Sequence, residues 1–272
     1  MTCNDYCASI SALAQALSEY ANNDLERRPL NEIIQLLDAI EIIAQNNEIN
    51  FESARRILDT EQLREALKVI RAFYVLVGRR LEVQNARDIL AADHPWRAVN
   101  AFHYYDRYVT LVGNEVRLAA FSAGDRVVFI GGGSVPLTPM LLSTCYAIDS
   151  ISIELVPQIT ELSKRVLDKL WYGSEIEVVC GDECALAELQ YDGVIVGASA
   201  EPKHRVFANV YNAVSPATKI LYRTYSGMRS LLYPPVTAKD LAGFQEVARV
   251  LPAGKMNNTS VLITKGESIP DL

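Results

Sequence analysis

Apolar residues recur every three or four positions through the first part of the chain and later fall into short runs separated by glycines. Leu13, Leu17 and Tyr20 share one helical face, and Ile33, Leu36, Leu37, Ile40 and Ile43 make a second apolar stripe. Asp59 and Gln62 fit a capping box, so a longer helix is expected to start there. Its apolar positions run Leu63, Leu67, Ile70, Tyr74, Val77 and Leu81, the spacing a buried helical face requires. Pro95 disfavours helix in the residue before it, and a fresh helix is expected from Trp96 through Val112.

Beyond Gly124 the period changes. Arg126–Ile130, Ser150–Leu155, Ile176–Cys180, Gly193–Gly197 and Lys219–Thr224 read as strands, with helices expected from about Pro136 to Cys145 and from Pro157. Strands that alternate with helices imply right-handed crossovers and a parallel, doubly wound sheet. Phe244–Leu251 and Thr259–Lys265, joined through Pro252-Ala-Gly-Lys, read as a closing hairpin. The expected fold class is therefore α/β: a class I methyltransferase-like Rossmann domain, a parallel sheet with a terminal antiparallel hairpin, preceded by an all-α helical domain. The expected division is residues 1–118 helical and 119–272 Rossmann-like.

Composition narrows the partners. The chain has 272 residues, 50% hydrophobic and 22% charged, the balance of a globular protein with a substantial core. A net charge of −7 argues against nucleic acid, whose phosphates call for concentrated Lys and Arg. No apolar run approaches the roughly 20 residues that span a bilayer. The N-terminus is not basic and lacks a following apolar segment, so neither a membrane partner nor a secretory leader is expected, and a cytoplasmic location is. The five cysteines, an odd count, favour free thiols over a disulfide framework. Cys180 and Cys184 with His94, His103 and His204 do not make a zinc spacing, and no metal is expected.

Three signals lie where open α/β sheets bind ligands, over the carboxyl ends of the strands. The first is Val127-Val-Phe-Ile-Gly-Gly-Gly-Ser-Val-Pro-Leu-Thr138, in which a strand runs directly into Gly131, Gly132 and Gly133 before a helix. Glycines there let backbone approach a ligand, although a tight turn without one would look the same. The second is Glu154, closing the next strand about 20 residues on, where a carboxylate can accept ribose hydroxyls. The third is Gly181-Asp182-Glu183, which brings Asp182 towards an adenine edge. A dinucleotide stays open as the ligand. Pro136 stands where the third glycine of G-x-G-x-x-G would be, and with the closing hairpin it favours S-adenosylmethionine.

Phe129-Ile-Gly-Gly-Gly-Ser-Val-Pro-Leu-Thr138 resembles the corresponding loop of the nicotianamine synthase family. The likeness continues in Ala200-Glu-Pro-Lys-His-Arg-Val-Phe207, in Leu221-Tyr-Arg-Thr-Tyr-Ser-Gly-Met-Arg229 and in Leu251-Pro-Ala-Gly-Lys-Met-Asn-Asn-Thr-Ser-Val261. It covers the C-terminal half, and the helical first half fits the family's plan. The short microbial branch, with its metallophore-forming relatives, is the most similar, although Ser134-Val135 departs from the plant-like loop and the chain is shorter than plant members. The resemblance implies S-adenosylmethionine as co-substrate and transfer of its 3-amino-3-carboxypropyl arm to an amino-acid amine. The products would be a nicotianamine-like metal chelator and 5′-methylthioadenosine, with no metal required. Glutamate, histidine or S-adenosylmethionine itself are the acceptor candidates, a homodimer is one assembly left open, and the first half would carry the acceptor site and a lid. Two alternatives remain: a small-molecule methyltransferase, or a nucleotide-binding protein without catalysis.

Amine attack needs the nitrogen neutral and aligned. An α-amino group titrates near pH ~7.7–8.0, so a carboxylate that takes its proton and a hydroxyl that orients it would serve. The resemblance implies a Glu and a Tyr in these roles. Glu82 lies one position off the long apolar stripe, with Gly78 leaving room one turn earlier; it also suits an ordinary flank-exposed Glu. Phe102-His-Tyr-Tyr-Asp-Arg-Tyr108 supplies the tyrosine, Tyr108 first and Tyr105 second, although such a stripe also suits core. The expected nucleoside site comprises Gly131, Gly132, Gly133, Pro136, Leu137, Thr138, Glu154, Asp182 and Ala198. Arg223, at the end of the fifth strand, is expected to clamp a substrate carboxylate with Tyr225 beside it, followed by Lys203 and Arg229; surface salt bridges are the alternative. Asn257, Asn258 and Thr259 read as turn residues.

Overall fold

A computed structural model describes residues 3–21 and 28–266; Met1 and Thr2, at the head of the stretch read above for a leader, lie outside them. The chain forms two compact units. One comprises Met1–Arg80, Tyr225–Pro235 and Pro252–Asn258, the other Leu81–Thr224, Val236–Leu251 and Thr259–Leu272. This differs from the division expected at residue 118. The reason is packing: the helix that ends at Ala119 lies against the sheet and belongs with it.

In the first unit, α1 (Cys3–Ala21) buries Tyr6, Ile10, Ala14 and Leu17, a face that shares Leu17 with the expected stripe and leaves Leu13 and Tyr20 half-buried. α2 (Leu30–Ala44) buries Ile33, Leu37, Ile40 and the acid Glu41. α3 (Phe51–Leu58) is capped by Asn50, whose Oδ1 accepts from the Ser53 N–H at 2.8 Å. Asp59 therefore ends a helix instead of starting one, and its carboxylate takes Arg55 at 3.2 Å. After a 3-10 turn over Glu61–Leu63, which buries Leu63, α4 (Arg64–Ala91) begins in this unit and passes into the second at Leu81. Leu67, Ile70, Val77 and Leu81 are buried as the spacing required, while Tyr74 is half-buried. The segment 225–235 returns to this unit, and its 3-10 turn Gly227–Leu231 packs on α2 and α3.

In the second unit the helix expected over Trp96–Val112 is two helices. α5 (Pro95–Asn100) starts on proline, the chain turns at 101–104 with Phe102 buried, and α6 (Tyr105–Ala119) restarts. The strands are β1 (Arg126–Ile130), β2 (Asp149–Glu154), β3 (Ile176–Cys180), β4 (Gly193–Val196), β5 (Lys219–Thr224), β6 (Phe244–Val250) and β7 (Thr259–Lys265), each within a residue of expectation. Their order is β3-β2-β1-β4-β5-β7-β6, parallel except that β7 runs antiparallel to β5 and β6 to β7. This is the class I methyltransferase-like arrangement. α7 (Leu137–Tyr146), α8 (Pro157–Lys169) and α9 (Lys203–Ala213) make the crossovers.

The two-residue period of the strands divides the sheet's faces. Val128, Ile130, Ile151, Ile153, Val194, Val196, Ile220, Tyr222, Val261 and Ile263 form one buried cluster with Val206, Phe207 and Val210 of α9. Each such aliphatic side chain contributes about 1.5–3 kcal/mol by leaving water. The opposite face carries Phe129 of β1, Arg223 of β5 and Ser260 of β7, and against it lies α6. Among the described residues no helix is long and apolar enough to cross a membrane.

Candidate active site

β1 ends at Ile130, and its ladder continues into the glycines: the Gly131 and Gly132 N–H groups both donate to the Ile153 carbonyl, at 2.9 and 3.0 Å. Gly131 and Gly133 have φ of +98° and +71°, values that L side chains rarely adopt. At Gly132 a Cβ would stand 2.0 Å from the Ser152 Oγ, so its absence lets the turn lie flat on β2. Pro136 then sets the entry to α7, Leu137 is its first residue, and Thr138 behind it is 1% exposed.

Glu154 organises this turn. Its Oε2 accepts from the Gly133 N–H and its Oε1 from the Val156 N–H, both at 2.9 Å. A carboxylate has about four lone-pair directions, so ribose hydroxyls remain within its capacity. Glu82, on α4, arrives at the same glycine: a Cβ on Gly133 would lie 2.7 Å from the Glu82 Oε2. The turn thus brings together the glycines, the ribose-type acid and the acid expected to act as base. At Gly78, one helical turn earlier on α4, an added Cβ would meet nothing within 4 Å.

Tyr108 and Tyr105 part company. Tyr108 lies beneath the Arg223 guanidinium, whose carbon is 5.6 Å from the ring centre. The Tyr105 hydroxyl is held above its ordinary pKa by loss of water, then by the charges of Cys145 and Asp106. Asp182 caps the 3-10 turn Glu183–Glu188, its Oδ1 accepting from the Cys184 N–H at 3.0 Å. Ala198 follows β4, and Gly197 before it donates to the Ile130 carbonyl at 2.9 Å.

The cations require correction. Arg223 is 4% exposed, and the Nε–Nη2 edge expected to clamp a substrate carboxylate instead holds Glu115, at 2.8 Å for each nitrogen. Nη2 also donates to the Thr138 Oγ1 at 2.8 Å, and Ser260 donates to the Glu115 Oε1 at 3.0 Å. Lys203 directs its ammonium to the Ala198 and Ala200 carbonyls, 2.6 Å each, with Glu201 at 3.4 Å. Burial lowers its pKa, against the raising effect of Glu201. Lys203 therefore ties down the β4–α9 loop. In the first unit, Arg229 donates to the Met256 and Gly254 carbonyls and to Asn47, and burial lowers its pKa too. Tyr225 belongs to that unit, packed edge-on to Tyr74 and tilted against Tyr233.

Sequence reasoning missed Glu115 and Asn257. Glu115 is fully buried in a stripe with Leu111, Val112, Val116 and Ala119. An acid four residues from apolar neighbours on both sides is the available signal, because buried acids need partners. Asn257, taken for a turn residue, is buried and donates to Glu41 at 2.8 Å and to the Tyr74 hydroxyl at 3.2 Å, while accepting from Gln45. Cys7, Cys145, Cys180 and Cys184 are free thiols.

Comparison with known proteins shows what the whole chain is similar to. Residues 3–269 match the family described as nicotianamine synthase protein. A nicotianamine synthase of Solanum lycopersicum is 25% identical over 79% of this chain and 73% of its own length. For nicotianamine synthase 3 of Arabidopsis thaliana the figures are 25%, 64% and 58%, so the chain spans little more than half of that relative. Among solved structures, MtNAS in complex with MTA and tNA superposes with a TM-score of 0.92 at 43% identity, covering 96% of this chain and 98% of that one. A glutamate-to-glutamine mutant of MtNAS in complex with S-adenosylmethionine superposes at 0.90 with 42% identity and the same coverage.

Proposed function

This chain belongs to the nicotianamine synthase family, and from that membership we propose that it transfers 3-amino-3-carboxypropyl groups from S-adenosylmethionine to an amino-acid amine, forming a nicotianamine-type chelator. The observation that carries the reading is the convergence at Gly133 of the Glu154 carboxylate, bonded to its N–H, and the Glu82 carboxylate, against its Cα.

Gly131–Gly133 admit the nucleoside without a side-chain barrier, and Pro136, Leu137 and Thr138 fix the start of α7 beside it. Glu154 accepts the ribose hydroxyls with the lone pairs the backbone leaves, while Asp182 and the Ala198 backbone border the base. Glu82 takes a proton from the acceptor ammonium, and Tyr108 orients the resulting amine. The amine lone pair then forms an N–C bond with the arm's terminal carbon. The C–S bond breaks and its electron pair stays on sulfur, giving neutral 5′-methylthioadenosine. A sulfonium needs no proton to leave, so the chain supplies a base and alignment. The acceptor amine is that of glutamate, histidine or S-adenosylmethionine itself.

Mass spectrometry after incubation with S-adenosylmethionine, alone and with single amino acids, tests the reading. It predicts methylthioadenosine and an acceptor carrying one or more aminobutyrate units. S-adenosylhomocysteine with a methylated acceptor would return the methyltransferase alternative.

A further inference from the structure

Arg223 sits on the sheet face opposite the α9 cluster, and its register neighbour on β7 is Ser260. Two elements distant in sequence meet at its guanidinium. From α6 comes Glu115, fully buried, which takes both the Nε and Nη2 donors at 2.8 Å and a third hydrogen bond from Ser260. From the first turn of α7 comes Thr138, which accepts from Nη2 at 2.8 Å. The guanidinium carbon also lies 4.9 Å from the Phe129 ring centre and 5.6 Å from that of Tyr108. Phe129 and Thr138 stand on either side of the glycine turn, while Tyr108 and Glu115 lie two turns apart on α6. The planar two-nitrogen edge fixes α6 in rotation as well as in distance, which a point charge would not do.

We propose that Arg223 and Glu115 are positioning residues for the transfer: their buried fork sets where the Tyr108 hydroxyl stands relative to the glycine turn. Neither residue touches the reacting atoms. The inference rests on Tyr108 orienting the acceptor amine, and it explains why an arginine expected to bind substrate is enclosed by protein. Arg223→Lys keeps the charge and loses the fork.

Turnover of Arg223→Lys is measured as methylthioadenosine release, with the native Tyr108 and in a Tyr108→Phe background. With Tyr108 present, kcat falls about 10- to 100-fold, the scale of a misplacement of about 1 Å, and KM for S-adenosylmethionine changes less than kcat. In the Tyr108→Phe background the same substitution lowers kcat by no more than about twofold, because the group it acts through is already gone. Equal losses in both backgrounds, or unchanged kcat beside native Tyr108, overturn the inference. Full turnover of Tyr108→Phe alone overturns the role given to Tyr108 and the inference with it. Should Arg223→Lys fail to fold by near-ultraviolet circular dichroism, Glu115→Gln with Arg223→Met leaves no buried charge alone and carries the same comparison.

Discussion

The carboxyl ends of β1 and β2 and the carboxyl end of β5 lie along one edge of the same sheet, and each carries residues that suit a ligand. At the first, Gly131–Gly133 and Glu154 adopt the geometry their types demand, with positive φ, close backbone approach, and a carboxylate on the turn's N–H. At the second, Arg223 is enclosed by Glu115, Thr138 and Ser260. A glycine's role is local and follows from the backbone it must adopt. A cation's role depends on the anion that reaches it, and here that anion is 108 residues away in sequence.

Substitutions on the two sides of this contrast should behave differently. Among substitutions at the two strand ends, the largest effect belongs to Gly133→Ala, which places a methyl group 2.7 Å from the Glu82 Oε2 at a φ of +71°. Turnover falls about 100-fold as the carboxylate is displaced. Retained turnover would mean that Glu82 does not depend on this glycine. Next, Glu154→Ala removes the acceptor on the Gly133 N–H and weakens S-adenosylmethionine binding by about 1.5–3 kcal/mol in calorimetry, the range for hydrogen bonds to a charged group. Unaltered affinity would remove the ribose assignment. The smallest functional effect falls on Lys203→Met. Losing the bonds to Ala198 and Ala200 lowers thermal stability by about 1–3 kcal/mol, with S-adenosylmethionine affinity changing little. A large affinity loss without loss of stability would make Lys203 a ligand after all.

The strands were legible because their apolar runs are bounded by glycines and turns, and β1, β3, β5 and β7 keep the expected bounds. Helix boundaries were less so. The strong Asn50 cap opens α3 before Asp59, and burial of Phe102 breaks the helix read through Trp96–Val112. The cap is local, three residues from its partner, and periodicity alone does not show it, whereas the burial of Phe102 is tertiary. Glu82 was legible through its place beside an apolar stripe together with the family likeness. Tyr108 and Tyr105 share a helix in sequence and in structure, and it is the contact of Tyr108 with Arg223 that sets it apart.

The most direct test of the account is single-turnover kinetics of Glu82→Gln, with S-adenosylmethionine affinity measured on the same protein. Removing a general base predicts a rate lower by about 10²–10⁴-fold with S-adenosylmethionine still bound. An unchanged rate would contradict the account and take Glu82 out of the reaction.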